Sequence, residues 1–271
     1  MSLEHHQIKS SFDKAAKQYE QHAVLQKEAM SRLVERVQFD LKKAPKQILD
    51  LGCGTGWATD ALLDIYPETQ IIAADFSASM VNAVPKHPQV TPRVTDAHCL
   101  DVHASSLDLV FSNMMIQWCD QQTALTEIKR ALKPSGYLHL TSMGEHTLHE
   151  LKAAWATIDD LPHVNDFVPA AELADLTLRM GYEDVIADSE FITMTYANVI
   201  DLMRDLKAIG AHNTDHNRSK GLTSPKVIKQ LEAAYQEFRT EDGLYPATYE
   251  LLYLRAVKPA DDKGLNLKIK T

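Results

Sequence analysis

The stretch Ile48-Leu49-Asp50-Leu51-Gly52-Cys53-Gly54-Thr55-Gly56 decides the fold. A short apolar run of strand character gives way to three alternating glycines, and a helical pattern opens at Trp57. Glycine lets the backbone turn sharply and approach a ligand with no side chain in the way. The amides at the start of the following helix lack intrahelical partners and are donors for a polar or anionic group. A dinucleotide site, spaced Gly-x-Gly-x-x-Gly, needs its third glycine at position 57. That position is Trp57, whose bulk leaves little room for a pyrophosphate, so the spacing suits a ligand without phosphates.

Outward from this loop, apolar runs at 47–51, 70–74, 91–95, 108–112 and 137–141 alternate with helical stretches at 57–65, 78–84 and 124–132. Such alternation predicts an α/β fold with a mainly parallel sheet covered on both faces. Lys133-Pro134-Ser135-Gly136 reads as a turn that stops one helix and starts the next strand. Toward the amino terminus, apolar residues from Phe12 to Val37 recur at spacings of three and four and predict helices over 7–40. The polar link Lys42-Lys43-Ala44-Pro45-Lys46 joins them to the sheet. Toward the carboxyl terminus, helices are expected at 148–161, 170–180, 198–209 and 225–238, strands at 185–196 and 248–257, and an exposed loop at 212–223. From Lys258 onward the chain reads as a polar tail.

The 271 residues carry 28 Lys and Arg against 37 Asp and Glu, a formal charge of −9, with 45% apolar and 24% charged residues. This is the balance of a soluble globular protein, and its sign argues against bulk nucleic-acid binding, which needs a strong positive field. No apolar run approaches the roughly 20 residues of a membrane span. Met1-Ser2-Leu3-Glu4-His5-His6 has neither the basic segment nor the apolar core of a secretory signal. Cys53, Cys99 and Cys119 show no metal-ligand spacing and no even disulfide framework. They are expected as reduced thiols in a cytoplasmic protein, with no bound metal.

Ligands of open parallel sheets bind outside the carboxyl ends of the strands, near the switch in strand order. Four strand ends here offer suitable groups in sequence. The glycine loop follows the first; Asp75 with Phe76 follows the second, where a carboxylate can accept both hydroxyls of a ribose. Asp96-Ala97 follows the third, placed to meet the exocyclic amine of an adenine, and Ser112-Asn113-Met114 follows the fourth. Asp50 reads equally well as an acceptor for loop amides, and Asp96 as a solvated turn residue.

The run Asp50-Leu-Gly-Cys-Gly-Thr-Gly56, with Asp75 and Asp96-Ala97, resembles the cofactor motifs of class I S-adenosylmethionine methyltransferases. The resemblance implies a Rossmann-like, seven-stranded, mostly parallel sheet with an antiparallel last strand, carrying a helical N-terminal lid and helical substrate-cap insertions. It implies that Gly52, Gly54 and Gly56, with Cys53, pack against the methionine part of S-adenosylmethionine, and that Asp50 steadies the loop. Asp75 would hold the ribose, and Asp96 with Ala97 the adenine. Further segments are similar to the malonyl-acyl-carrier-protein O-methyltransferases of biotin synthesis. These are Phe12-Asp-Lys-Ala-Ala-Lys-Gln-Tyr19 with His22 and Gln26, Phe111-Ser-Asn-Met-Met-Ile-Gln-Trp118, Leu202-Met-Arg-Asp-Leu-Lys-Ala-Ile-Gly-Ala-His-Asn213, and Tyr245-Pro-Ala-Thr-Tyr-Glu-Leu-Leu-Tyr253. The chain then divides into a single domain over 1–258, with a lid at 1–44, a cofactor-binding half at 45–143 and cap insertions with the last strands at 144–258. A disordered tail is expected at 259–271.

The reaction the family implies is methyl transfer to the free carboxylate of a malonyl thioester. That carboxylate is ionised at neutral pH, given carboxyl pKa values near ~4, so no general base is required. Arg204 is the candidate for orienting it through a bidentate grip, although an exposed helix arginine paired with Asp or Glu has the same sequence appearance. Lys207 lies one turn away on the same face, and His212 with Asn213 follows; solvated surface roles fit both as well. Tyr19 and Phe12 share a helical face and suggest a lid, with the Tyr19 hydroxyl near the cofactor or reacting site, or else simple packing of the first helix. Gln117 and Trp118 are expected to wall the pocket. An acidic carrier protein calls for a basic patch, for which Arg218, Lys220, Lys226, Lys229 and Arg239 are candidates. Carrier protein and coenzyme A present the same pantetheine arm, so both stay open as carriers. A monomer is favoured. The competing readings are a methyltransferase for another small carboxylate or a quinone precursor, a nicotinamide oxidoreductase, and a cofactor-binding regulator without catalysis.

Overall fold

The computed structural model describes residues 23–208 and 224–260. At its centre is a seven-stranded sheet in the order β3-β2-β1-β4-β5-β7-β6. The strands are β1 (Gln47–Leu51), β2 (Gln70–Asp75), β3 (Val90–Val94), β4 (Leu107–Ser112), β5 (Leu132–Met143), β6 (Glu183–Tyr196) and β7 (Tyr245–Val257). The pairs from β3 through β5 are parallel, and β7 runs antiparallel to both β5 and β6. One strand is thus reversed, the last in the chain, as the resemblance implied.

Eight helices clothe the sheet among the described residues: α1 (Val24–Asp40), α2 (Trp57–Ile65), α3 (Ala78–Val81), α4 (Gln121–Ala131), α5 (His149–Ala156), α6 (Ala170–Arg179), α7 (Val199–Ala208) and α8 (Pro225–Ala234). Successive strand residues point to opposite faces, which gives two cores. Ile48, Ile71, Leu109 and Phe111 meet Leu25, Ala29, Leu33 and Val37 of α1 and Leu62 of α2 on one side. Leu49, Leu51, Val110, Leu138 and Leu140 meet Ala124, Leu125 and Ile128 of α4 and Leu173 of α6 on the other. Each large side chain buried this way contributes about 1.5–3 kcal/mol. No helix among the described residues is long and apolar enough to cross a membrane.

Several element ends differ from expectation for local reasons. The α3 helix stops at Val81 rather than 84, because Pro85 disfavours helical backbone at the residue before it. The expected turn at 133–136 lies within β5 as a bulge: Leu132 already pairs with Leu107, and the Ser135 amide donates to the Lys258 carbonyl at 2.9 Å. The α5 helix ends at Ala156 instead of 161, where the Thr157 hydroxyl donates to the Ala154 carbonyl at 2.8 Å and competes for a helical acceptor. The α8 helix passes at Tyr235 into a 3-10 turn that ends at Phe238. Strand β7 begins at Tyr245, three residues early, and tolerates Pro246 because β5 pairs with it only from Leu251 onward. Lys258, expected to open the tail, is buried, and its ammonium donates to the Leu132 carbonyl at 2.9 Å.

Candidate functional site

The chain leaves β1 toward β2 on one side and returns to β4 on the other, so the crevice at their carboxyl ends is the switch point of the sheet. The glycine loop occupies it. Its amides at Gly52 and Cys53 both donate to the Ala74 carbonyl, at 2.8 and 3.0 Å, which pins the loop to the end of β2. Gly52 has φ +79°, and a Cβ there would lie 2.6 Å from Met115. Gly54 has φ +54° and faces open space, since a Cβ added there would meet nothing within 4 Å. Gly56 is the N-cap of α2. The Cys53 thiol is buried, and burial pushes its pKa up, so it packs the loop as a neutral group.

Two carboxylates serve this loop in different ways. Asp75 is buried at the end of β2, where Oδ2 accepts the Gly54 amide at 3.1 Å and Oδ1 accepts the Ser77 amide at 2.8 Å. Asp50 is 1% exposed and accepts the Thr59 hydroxyl at 2.6 Å, so it holds the first turn of α2. Burial pushes its pKa up to about 7, against the Thr59 hydrogen bond and with a smaller push from Asp75. Phe76 follows, half-buried.

Asp96 and Ala97 lie beyond β3. Asp96 Oδ1 accepts the His98 amide at 2.9 Å and contacts His98 Nδ1 at 2.6 Å. His98 Nε2 in turn accepts the Asp120 amide at 2.9 Å. An amide can only donate, so Nε2 is the bare nitrogen and Nδ1–H points at Asp96. Asp96 is thus braced within its own turn, with its side chain still 38% exposed. Asn113, at the end of β4, donates to the Gln26 carbonyl at 3.0 Å and accepts the Thr141 hydroxyl at 2.7 Å, tying α1 to β4 and β5. Gln117 Nε2 donates to the Met114 carbonyl at 2.8 Å, and Trp118 ends the same 3-10 turn half-buried.

Arg204 stands on α7 with its side chain 75% exposed, and Nη1 meets Asp201 at 3.1 Å. Asn198 holds that Asp201 carboxylate at 2.8 Å, and the Tyr196 hydroxyl donates to Asp205 at 2.8 Å. No hydrogen bond or ion pair among the described residues joins Arg204 to the glycine loop. Phe12, Tyr19, His212 and Asn213 lie outside the described residues, as do Arg218, Lys220 and the side chain of Lys207. Among the described residues no cluster of His, Cys, Asp and Glu has the makings of a metal site.

Sequence spacing missed the first turn of α1. There Gln26 is buried against the end of β4, and the Lys27 ammonium lies 3.9 Å from the centre of the Trp57 ring. It also missed Glu150, which is buried under β7 and accepts the Thr248 amide at 3.1 Å. Both are contacts between elements far apart in the chain, which no local spacing reveals.

Comparison with known proteins agrees with this geometry. Residues 49–140 match the family described as methyltransferase domain. The malonyl-[acyl-carrier protein] O-methyltransferase of Halorhodospira halophila is 39% identical over 275 residues, covering 97% of this chain and 93% of the relative. That of a Methylovorus species is 40% identical over 265 residues, covering 93% and 88%. Among solved structures, Haemonchus contortus phosphoethanolamine N-methyltransferase 2, in complex with phosphomonomethylethanolamine and S-adenosylhomocysteine, superposes with a TM-score of 0.51 at 19% identity. It covers 82% of this chain and 51% of that one, a likeness of fold.

Proposed function

The chain belongs to the malonyl-[acyl-carrier protein] O-methyltransferases, and from that premise we propose that it methylates the free carboxylate of malonyl-acyl-carrier protein, giving the methyl ester that primes pimeloyl synthesis for biotin. The observation that carries the reading is the frame around Gly54: a loop glycine with open space before it, whose amide is fixed by Asp75. A cofactor fits there, because the space is open at Gly54 and closed at Gly52.

S-adenosylmethionine supplies an electrophilic methyl on a sulfonium. When the cofactor is bound, that methyl would pass to a malonyl carboxylate oxygen, with the methyl ester and S-adenosylhomocysteine as products. The nucleophile is already ionised near pH 7, so the protein need only hold the two partners in line and keep water out. On this reading Asp75 takes the ribose hydroxyls, while Asp96, Ala97 and Phe76 border the adenine. Gly52, Cys53, Gly54 and Gly56 line the methionine part. Asp50 and Asn113 act from behind, one through Thr59 and the other through Gln26 and Thr141. Arg204 orients the malonyl carboxylate and exchanges Asp201 for it. Gln117 and Trp118 wall the pocket, and Phe12, Tyr19, Lys207 and His212 complete the cover. Lys226 and Lys229, exposed and three residues apart on α8, are candidates to meet the acidic carrier. Arg239 is less suited, because its guanidinium is committed to the Gly243 carbonyl and the Tyr245 ring. The enzyme would act as a monomeric single domain over 1–258, in the cytoplasm, where Cys53, Cys99 and Cys119 remain free thiols.

The test is a methyl-transfer assay with labelled S-adenosylmethionine and malonyl-carrier protein, beside malonyl-coenzyme A and the succinyl and acetyl carrier proteins. Base-labile label on malonyl-carrier protein, and little on succinyl or acetyl, is expected. Transfer to coenzyme A alone reassigns the carrier. No transfer to either malonyl thioester, with cofactor binding intact, removes the substrate assignment.

A further inference from the structure

Met114 holds a left-handed backbone, φ +56°, where an L side chain crowds the following carbonyl oxygen. Among the described residues Ser105, Ser135, Leu148 and Asp184 share that sign, and only Met114 lies directly beyond a strand end that borders the crevice. Such a conformation persists where its surroundings over-determine it, and strained residues gather at sites whose geometry matters. Here the hold comes chiefly from Thr141 of β5, which is fully buried. Its backbone carbonyl accepts the Met114 amide at 3.2 Å, and its hydroxyl oxygen accepts the same amide at 2.9 Å. The hydroxyl in turn donates to Asn113 Oδ1 at 2.7 Å, and Asn113 Nδ2 donates to the Gln26 carbonyl at 3.0 Å. Three hydrogen bonds thus run in one direction, from the Met114 amide through Thr141 and Asn113 to α1, and each polarises the next. Gln117 Nε2 closes the turn from the other side, on the Met114 carbonyl at 2.8 Å.

The turn so held presses on the glycine loop. A Cβ at Gly52 would lie 2.6 Å from Cβ and Cγ of Met115, so Met115 is seated against the bare α-carbon of Gly52. The Ser112 hydroxyl, just before the turn, donates to the Leu51 carbonyl at 2.8 Å. In the strand order β2-β1-β4, Asp75 stands on one side of the loop and the turn at 113–115 on the other. With the ribose at Asp75, the sulfonium end of the cofactor falls toward β4. We propose that Thr141 is a positioning residue for methyl transfer: its hydroxyl holds the strained turn at 113–115 as the β4 wall of the crevice, and so sets the direction in which methyl and carboxylate meet. Thr141 touches neither reactant. The assignment rests on the methyl-transfer reading given above and goes beyond it, because it places a determinant of turnover on β5, behind the crevice.

The test separates the hydroxyl from the rest of the side chain. Thr141→Val keeps the branched shape and removes the hydroxyl, whereas Thr141→Ser keeps the hydroxyl. Both would be assayed with labelled S-adenosylmethionine and malonyl-carrier protein, beside Asn113→Ala and the Asn113→Ala/Thr141→Val pair, with rates normalised to the folded fraction. A displacement of about 1 Å in such a site costs on the order of 100-fold in rate, so kcat in Thr141→Val should fall at least about 10-fold. S-adenosylhomocysteine affinity, measured calorimetrically, should change by less than about threefold, or roughly half of the 1.4 kcal/mol that a tenfold change represents. Thr141→Ser should recover most of the turnover. Asn113 and Thr141 act through one chain, so the pair should lose no more than the worse single variant, whereas independent roles multiply their losses. Asn113 is half-buried, and its variant decides the matter if the buried change unfolds the protein. Parent-like kcat in Thr141→Val or in Asn113→Ala, equal losses in Thr141→Ser and Thr141→Val, or multiplied losses in the pair overturns the assignment. A fall in S-adenosylhomocysteine affinity as large as the fall in kcat overturns it too, since the role is then in binding and not in alignment. No transfer by the unaltered protein, with S-adenosylhomocysteine bound, overturns the substrate reading and this assignment with it.

Discussion

Alanine at Gly54 and at Gly52 should fail for different reasons, and the contrast tests the reading of the glycine loop. Both positions have left-handed backbone, φ +54° and +79°, where an L residue costs about 1–2 kcal/mol. At Gly54 that is the whole structural penalty, since a Cβ would meet nothing within 4 Å. At Gly52 the Cβ would lie 2.6 Å from Cβ and Cγ of Met115, which adds an overpacking cost of about 1–3 kcal/mol. For a chain of this size each kcal/mol lowers Tm by roughly 2–4 °C. Gly54→Ala should therefore melt a few degrees below the parent, and Gly52→Ala about twice as far below. Binding should rank the other way relative to stability. The methyl of Gly54→Ala projects into the space assigned to the cofactor, so S-adenosylhomocysteine affinity should fall at least about tenfold, which is 1.4 kcal/mol, in a protein that remains folded. Thermal unfolding and calorimetric titration of both variants measure the two effects. Parent-like affinity in Gly54→Ala would falsify the placement of the cofactor before that glycine. Equal melting temperatures would show that the Met115 contact relaxes at no cost.

Three further outcomes follow from the same geometry. The Asp50 carboxyl titrates near 3.8 when unfolded and about 7 when folded, so the native state binds the extra proton and stability falls as pH rises through that window; Asp50→Asn should gain on the parent in denaturant titrations from pH 4 to 8, by at most about 4 kcal/mol, and a gap that is flat with pH removes the argument. Asp75→Asn should weaken S-adenosylhomocysteine and 5′-methylthioadenosine alike, since both carry the ribose, and should cost about 1–3 kcal/mol of stability through the lost acceptor for Gly54 or Ser77; selective loss of one ligand contradicts the ribose assignment. Arg204→Ala breaks only an exposed pair and should change stability by less than about 1 kcal/mol, while raising KM for malonyl-carrier protein with kcat less affected; an unchanged KM moves Arg204 out of the site.

What was legible in the sequence is what local chemistry dictates. The β1-loop-α2 unit could be read because its apolar run, its glycines and the helix after them are contiguous, and each demands its conformation regardless of the rest of the chain. Asp75 could be read because it ends a strand whose neighbour ends in glycine. Element ends were less legible, since tertiary partners set them: Lys258 pulls residues 133–136 into the sheet, and Thr157 withdraws an acceptor from α5. Least legible was the way α1 closes the site. Asn113 and Gln26 are 87 residues apart, and their bond depends on how a helix lies across the strand ends.

That last contact bears on what catalysis asks of the fold. Methyl transfer between a sulfonium and a ready-made carboxylate needs no proton moved, so the protein contributes chiefly position and a dry enclosure. The polar side chains around the crevice are spent accordingly. Asp75 holds the amides of Gly54 and Ser77, Asn113 holds α1 to β4 and β5, Gln117 holds the Met114 carbonyl, and Asp50 holds Thr59. Each bonds to backbone or to a neighbouring element, so the loop, the strand ends and α1 are braced as one frame. In an enzyme that worked by acid–base catalysis, a His or carboxylate of tuned pKa would be expected to face the open side of Gly54. Here the carboxyl whose pKa is brought to about 7, Asp50, is 1% exposed and bonded to Thr59 in the first turn of α2. Its perturbed titration is a cost of building the loop, and the chemistry is left to the two reactants that the frame aligns.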